Sequence, residues 1–158
     1  MRRTNPVLAV FVVALTGCAV SQHTSSGPGA VDVSAVPAFL AQYLKAVEAR
    51  DEITIRDSYA SSDRFAWLED GKVRYRSADE VLAGLKSIPA ATPIRTTLTD
   101  LVVVPVGSNA AHARASFSTT MGTPPSAFTF GGAITFVLEY HAGAWKIVAG
   151  HTSSPSRR

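Results

Sequence analysis

A chain of 158 residues has room for one domain of ordinary size. Its formal charge of +3, from 15 basic and 12 acidic side chains, is too small a surplus to argue for a nucleic-acid partner. Cys18 is the single cysteine, which excludes an internal disulfide.

The chain opens with Arg2 and Arg3, then an uninterrupted apolar run of nine residues from Val7 to Leu15, then Thr16-Gly17-Cys18. Positive residues, apolar run and small residues, in that order, are the layout of a secretory signal peptide. The run is too short to span a bilayer, which takes about 20 apolar residues. Leu15-Thr16-Gly17-Cys18 resembles the lipobox of bacterial lipoproteins. The resemblance implies cleavage between Gly17 and Cys18, a diacylglycerol on the Cys18 sulfur and acylation of the new amine. Cys18 is then a membrane attachment point, not a redox group, nucleophile or metal ligand. The competing reading is a plain secreted protein cleaved near Ala19. One acyl chain holds a protein only marginally, whereas two or three hold it essentially for good. Ala19 in the place where an aspartate would favour the inner membrane leans towards an outer membrane, facing the periplasm. With a single membrane, the expected place is its outer face. Loss of Arg2 and Arg3 leaves 13 basic against 12 acidic residues, near neutrality.

Residues 1–17 are thus expected to be a signal peptide and residues 18–31 the lipid anchor and a flexible tether. The tether is rich in Ser, Gly and Pro and carries a solvated His23. A domain over residues 32–153 follows, with a disordered tail over 154–158. In its first segment Val36, Phe39, Leu40, Tyr43, Leu44 and Val47 fall on one face of a helix, with Ser34 as N-cap and Pro37 in the first turn. A shorter helix is expected over 52–59. The period then changes to alternation. Residues 64–69 read as a strand, Asp70-Gly71 as a hairpin turn and 72–76 as the returning strand, with Phe65 and Trp67 on one face. Lys72, Arg74 and Arg76 make a basic edge that protects an edge strand. Ser77-Ala78-Asp79-Glu80 fits a capping box and opens a third helix that Pro89 stops. Strands are expected over about 94–106, 110–121, 127–140 and 145–153, and their short turns predict an antiparallel meander. His112 and Arg114 alternate with small and apolar neighbours and read as a polar outer face.

This order, and the stretches FLAQYLKAVEARD and FVLEYHAGAWKIVAGHTS in particular, resembles the nuclear transport factor 2-like superfamily. Its relatives include ketosteroid isomerases and SnoaL-like polyketide cyclases. The resemblance spans about residues 36–153. It implies an α+β fold of the cystatin-like type: a cone-shaped, strongly bent antiparallel sheet packed on three N-terminal helices, with an apolar pocket at the open end. Tyr43, Phe65, Trp67, Tyr75, Phe117, Phe136 and His151 are the pocket candidates. Isomerase chemistry needs a carboxylate base and two acidic hydrogen-bond donors. Tyr43 falls where the helix-one tyrosine of that family falls, but Trp67 occupies the base position and Phe136 the second donor position. Neither can take up a proton. The expected function is therefore an anchored, extracytoplasmic binding domain without turnover, for a small apolar ligand or a protein partner. The alternative is a lyase or cyclase-like enzyme with His151 as acid/base and Tyr43 as donor. It follows from strict alternation, which puts His151 on one face with Trp145, Ile147 and Ala149. Glu139 is expected to point outward. No cofactor, metal site or nucleic-acid partner is expected, and pairing of two copies through the sheet is a further expectation.

Overall fold

The computed structural model describes residues 31–61, 63 and 65–155. The signal peptide, the Gly17–Cys18 cleavage site and the tether up to residue 30 lie outside the described residues. Among the described residues no helix is long and apolar enough to cross a membrane.

The chain enters through a 3-10 turn, Val33–Ala35, and continues into α1, Val36–Ala49. The expected cap is displaced. Asp32, not Ser34, caps the entry, its carboxylate accepting from the Ser34 backbone N–H at 2.8 Å. An aspartate at this place meets the exposed N–H groups with a full negative charge, which a serine cannot supply. Along α1, Val36, Leu40, Tyr43 and Ala46 are buried at helical spacing, and Phe39, Leu44 and Val47 pack beside them. Burying a side chain such as Leu40 contributes about 1.5–3 kcal/mol. Asp51 caps the short α2, Glu52–Asp57, by accepting from Thr54.

β1, Ala66–Glu69, turns back into β2, Lys72–Tyr75. Both turn residues have positive φ, 47° at Asp70 and 80° at Gly71, as the expected Asp-Gly hairpin turn requires. α3, Ala78–Lys86, starts at Ser77, whose hydroxyl accepts from the Glu80 N–H at 3.2 Å. The return half of the capping box is shifted by one residue: Glu80 Oε2 accepts from the Arg76 N–H at 2.7 Å. Four long strands follow: β3 Ile94–Val106, β4 Ala110–Met121, β5 Phe128–His141 and β6 Ala144–Ser153.

The sheet has the order β2-β1-β6-β5-β4-β3. The meander β3 to β6 is antiparallel, as expected. The junction of β1 with β6 is parallel, so the sheet is mixed, not antiparallel throughout. The reason is topological. The hairpin comes before the meander and is joined to it through α3, so β1 meets the free edge of the last strand in the direction its own connection imposes. β2 is then an edge, and its exposed Lys72 and Arg74 discourage pairing with another chain.

Two bulges set which side chains face the helices. In β3 an extra residue lies between Thr99 and Val102, and Asp100 there has φ 54°. In β6 Leu138 pairs with Ile147 but Val137 pairs with Ala149, leaving Val148 as the extra residue. One extra residue inverts the faces beyond it. Trp145 and Ile147 point inward; beyond the bulge the inward positions are Gly150 and Thr152, aligned with Phe136 and Ile134 of β5.

Gly150 is where the Trp67 ring approaches the β6 backbone most closely. A Cβ at residue 150 would fall inside the van der Waals envelope of that ring. Gly150→Ala is expected to cost about 1–3 kcal/mol, the usual range for overpacking. Urea denaturation should show this loss, and Trp67→Leu in the same chain should recover part of it.

Candidate functional site

A pocket of about 830 Å³ opens between α1, the β1–β2 hairpin and the flared ends of β3, β4 and β5. That volume is within the range of small-molecule sites. The helix wall supplies Tyr43, Leu44, Val47 and Val81. The hairpin supplies Trp67, Glu69, Asp70 and Tyr75. The sheet supplies Phe117, Phe128 and Phe130, and the hydroxyls of Thr96, Thr119, Thr129 and Thr152.

Of the residues expected to line a pocket, Tyr43, Trp67, Tyr75 and Phe117 do so, and Phe65, Phe136 and His151 do not. Phe65 and Phe136 are buried in the core. Phe65 meets Tyr59 edge-on at 5.0 Å, and Phe136 meets Trp67 edge-on at 5.8 Å. His151 lies on the outer face, paired with Thr135 of β5 and Leu68 of β1. The bulge at Val148 is the cause: it breaks the alternation that would have turned His151 inward. An imidazole on that face cannot exchange a proton with a ligand in the pocket, so His151 is not its acid/base. His112 and Arg114 also lie on the outer face, since Ala111, Ala113, Ala115 and Phe117 are buried between and beside them. Glu139 likewise points outward, paired with Lys146 and Ala110.

The pocket floor holds two tyrosines that touch through their hydroxyls. Tyr43 and Tyr59 are 6% and 5% exposed, and their oxygens are 2.6 Å apart. Their rings meet edge-on at 5.8 Å. Ser58 and Ala60 hold Tyr59 in place by backbone hydrogen bonds to Ile147 of β6, at 2.8 and 3.0 Å. Burial pushes the Tyr43 phenol up to about 12, partly offset by its bond with Tyr59. Burial also pushes Tyr59 well above the usual phenol range, and the neighbouring Tyr43 adds to this.

A stability profile follows from these shifts. Both phenols are harder to ionise folded than unfolded. Their contribution is complete below the ordinary value of 10.0; that of Tyr43 is lost as pH rises through about 12, and that of Tyr59 only well above the ordinary value. Between those limits the unfolding free energy should fall by about 1.4 kcal/mol per pH unit for each phenol. Denaturant titrations over that range check it. Tyr43→Phe should flatten the slope, and phenolate absorbance should show two tyrosines that ionise only on unfolding.

Glu69 is a pocket residue that the sequence reading passed over. It occupies the same face of β1 as Trp67, paired with Thr152. Burial pushes its carboxyl above the usual range; the Arg74 guanidinium, Nε 3.5 Å from Oε2, pulls it back, and Asp70 pushes it further up. The signal was present: alternation from Phe65 and Trp67 leads to Glu69. Phe128 and Phe130 were also passed over. They stack on each other at 6.1 Å, 57% and 41% exposed, and form an aromatic lip, with Phe117 edge-on to Phe130 at 6.2 Å. Among the described residues, no three metal-ligating side chains come together.

Residues 36–157 match the model of the SnoaL-like domain. No curated protein matches the chain. Solved structures share its fold. A nuclear transport factor 2-like protein from Rhodospirillum rubrum is 22% identical, with TM-score 0.64, over 77% of this chain and 98% of that one. A nuclear transport factor 2-like superfamily protein from Salmonella enterica is 16% identical, with TM-score 0.65, over 77% and 89%. The beta subunit of the benzoate 1,2-dioxygenase from Burkholderia mallei is 12% identical, with TM-score 0.67, over 79% and 91%. At these identities the likeness is one of fold. Together with the family match over most of its length, this places the chain in the SnoaL-like family, with the nuclear transport factor 2-like fold.

Proposed function

We propose that the chain is a lipid-anchored domain of the bacterial cell envelope that binds a small, largely apolar ligand in this pocket without turning it over. The observation that carries the reading is the pocket itself: a formed cavity of about 830 Å³ whose lining combines aromatic rings with threonine hydroxyls and two carboxylates. By the resemblance, Trp67 and Phe136 stand where isomerase chemistry would need a base and a donor, and His151 pairs on the outer face of the sheet. Native mass spectrometry of the protein, expressed in a periplasm and purified gently, tests it. Extra mass that leaves on mild activation supports binding; a substrate consumed in the pocket overturns it. For the anchor, Cys18→Ser should move the protein from the membrane fraction to the soluble fraction and abolish labelling with palmitate.

We infer that the outer sheet face pairs with a second copy of the chain. Val102, Val104, Val106 and Val137 lie there, 38–53% exposed. Sedimentation should show a dimer that Val104→Lys dissociates.

One observation favours a second reading, proton transfer within the same pocket. One solved structure of the same fold is a subunit of an enzyme, the benzoate 1,2-dioxygenase. Glu69, whose pKa is raised, faces the cavity that holds the Tyr43–Tyr59 pair. Its carboxylate would accept a proton from a ligand carbon while a tyrosine hydroxyl donates to the oxygen that gains charge. That reading requires turnover lost in Glu69→Gln and kept in His151→Ala.

A further inference from the structure

The charge of the pocket argues for the charge of its occupant. Among the described residues, the charged side chains lining the cavity are Glu69 and Asp70, both acidic. Glu69 is partly withdrawn from water, with 43% of its side chain exposed, and so keeps much of its negative charge available to the cavity. Arg74 is the nearby cation, but it lies 3.5 Å from Glu69 with 60% of its side chain exposed, so water screens the pair. Asp70 Oδ1 accepts from the Ser154 N–H at 2.7 Å, and among the described residues this is the one bond its carboxylate receives from the backbone of β6's exit.

Aromatic faces supply the second element. Trp67 and Tyr75 share the hairpin wall with the two carboxylates, and Phe117, Phe128 and Phe130 face the same space from the sheet. Ring faces are electron-rich and attract a cation that has left bulk water. Carboxylates together with ring faces form the usual recognition surface for an ammonium group. An anionic ligand would meet repulsion from Glu69 and Asp70 with no basic group lining the described walls.

The floor of the pocket is polar at the tyrosine pair. Two tyrosine hydroxyls carry two protons, and their mutual bond uses one. The other has no acceptor among the described residues, and both side chains are more than nine-tenths buried. That hydroxyl opens on the cavity, where solvent can accept its proton, so the tyrosine pair does not bear on the ligand's charge.

We propose that the pocket selects a cationic ligand: an amine or quaternary ammonium carried on an apolar ring or chain. The head group lies by Glu69 and Asp70, and the body lies against Phe117, Phe128 and Phe130. The inference rests on the reading that this cavity binds a small molecule, and it adds the ligand's chemical class.

The test uses three probes with one body: naphthylmethylammonium, naphthylmethanol and naphthoate. Each is titrated by calorimetry into the full chain, expressed with its N-terminal segment and purified as the cell leaves it. The expected result is an ammonium affinity about tenfold above the alcohol, with naphthoate weakest. That ratio should shrink several-fold in Glu69→Gln and in Asp70→Asn, and with added salt. Using the ratio within one variant removes any general change in folding or pocket shape, and circular dichroism verifies that the variant is folded. Equal affinities for all three probes, or tightest binding of naphthoate, would overturn the cation preference and leave the binding pocket standing. Binding of none of them, in a chain shown to be folded, would overturn both.

Discussion

Phe136→Ala is expected to lower the unfolding free energy by about 3–5 kcal/mol, the range for removing a buried aromatic ring. Phe136 is fully buried at the centre of β5. It lies between Gly150 of β6 and Ala113 of β4, both too small to fill the space it would leave. Its edge contact with Trp67, centroids 5.8 Å apart, adds a specific aromatic interaction. A domain of this size has about 5–15 kcal/mol in hand, so the variant should be marginal at room temperature. Chemical denaturation measures the loss. Phe136→Leu should lose much less, because it keeps most of the volume. A loss under 1 kcal/mol for alanine would mean that the strands collapse onto the void.

Arg50→Ala is the second large loss expected, about 2–3 kcal/mol. Arg50 ends α1 in the left-handed conformation, φ 56°. Its guanidinium donates to four carbonyls at the end of α3 and just beyond: Leu85 at 3.0 Å, Ile88 at 3.2 Å, Pro89 at 3.0 Å and Thr92 at 3.1 Å. The last carbonyls of a helix have no partners within it, and a positive charge there also suits the helix dipole. One side chain therefore caps α3 and ties it to the end of α1. Arg50→Gly separates the two effects. It loses the same four bonds but relieves the left-handed backbone, so it should be less damaging than alanine by about 1 kcal/mol. Arg50→Lys keeps the charge without the planar fork and should fall between wild type and alanine. If glycine proves as damaging as alanine, the strain at Arg50 is not the cost inferred from its φ.

Much of the architecture was legible because local signals agreed with one another. The spacing of Val36, Leu40 and Tyr43 marked the buried face of α1, and Asp70-Gly71 marked the hairpin. What escaped was non-local. A bulge leaves no mark in composition: Ile147, Val148 and Ala149 read as an ordinary strand, and the extra residue shows only against its partners in β5. The misplacement of His151 follows from that residue. The parallel junction of β1 and β6 was hidden for the same reason, since it joins segments far apart in sequence. Glu69 was missed differently. Its face was readable from Trp67, but a carboxylate after an aromatic pair reads as a strand end at the surface. Its role depends on a wall of phenylalanines from β4 and β5 that no local pattern reveals.

The parallel junction also determines when the pocket can exist. Its hairpin wall is held to the sheet by pairing between Ala66–Glu69 and residues 149–152, with the Thr152 hydroxyl bonded to the Leu68 carbonyl 84 residues earlier. Closing so long a loop is entropically costly and contributes only once β6 is in place, so this contact belongs late on the folding path. α1 and the hairpin turn can form from their own neighbours while the chain is still emerging. The cavity cannot, because half of its lining waits for nearly the last strand. Until then Trp67 and Phe117 are open to solvent, and that interval is when the polypeptide is most exposed to aggregation.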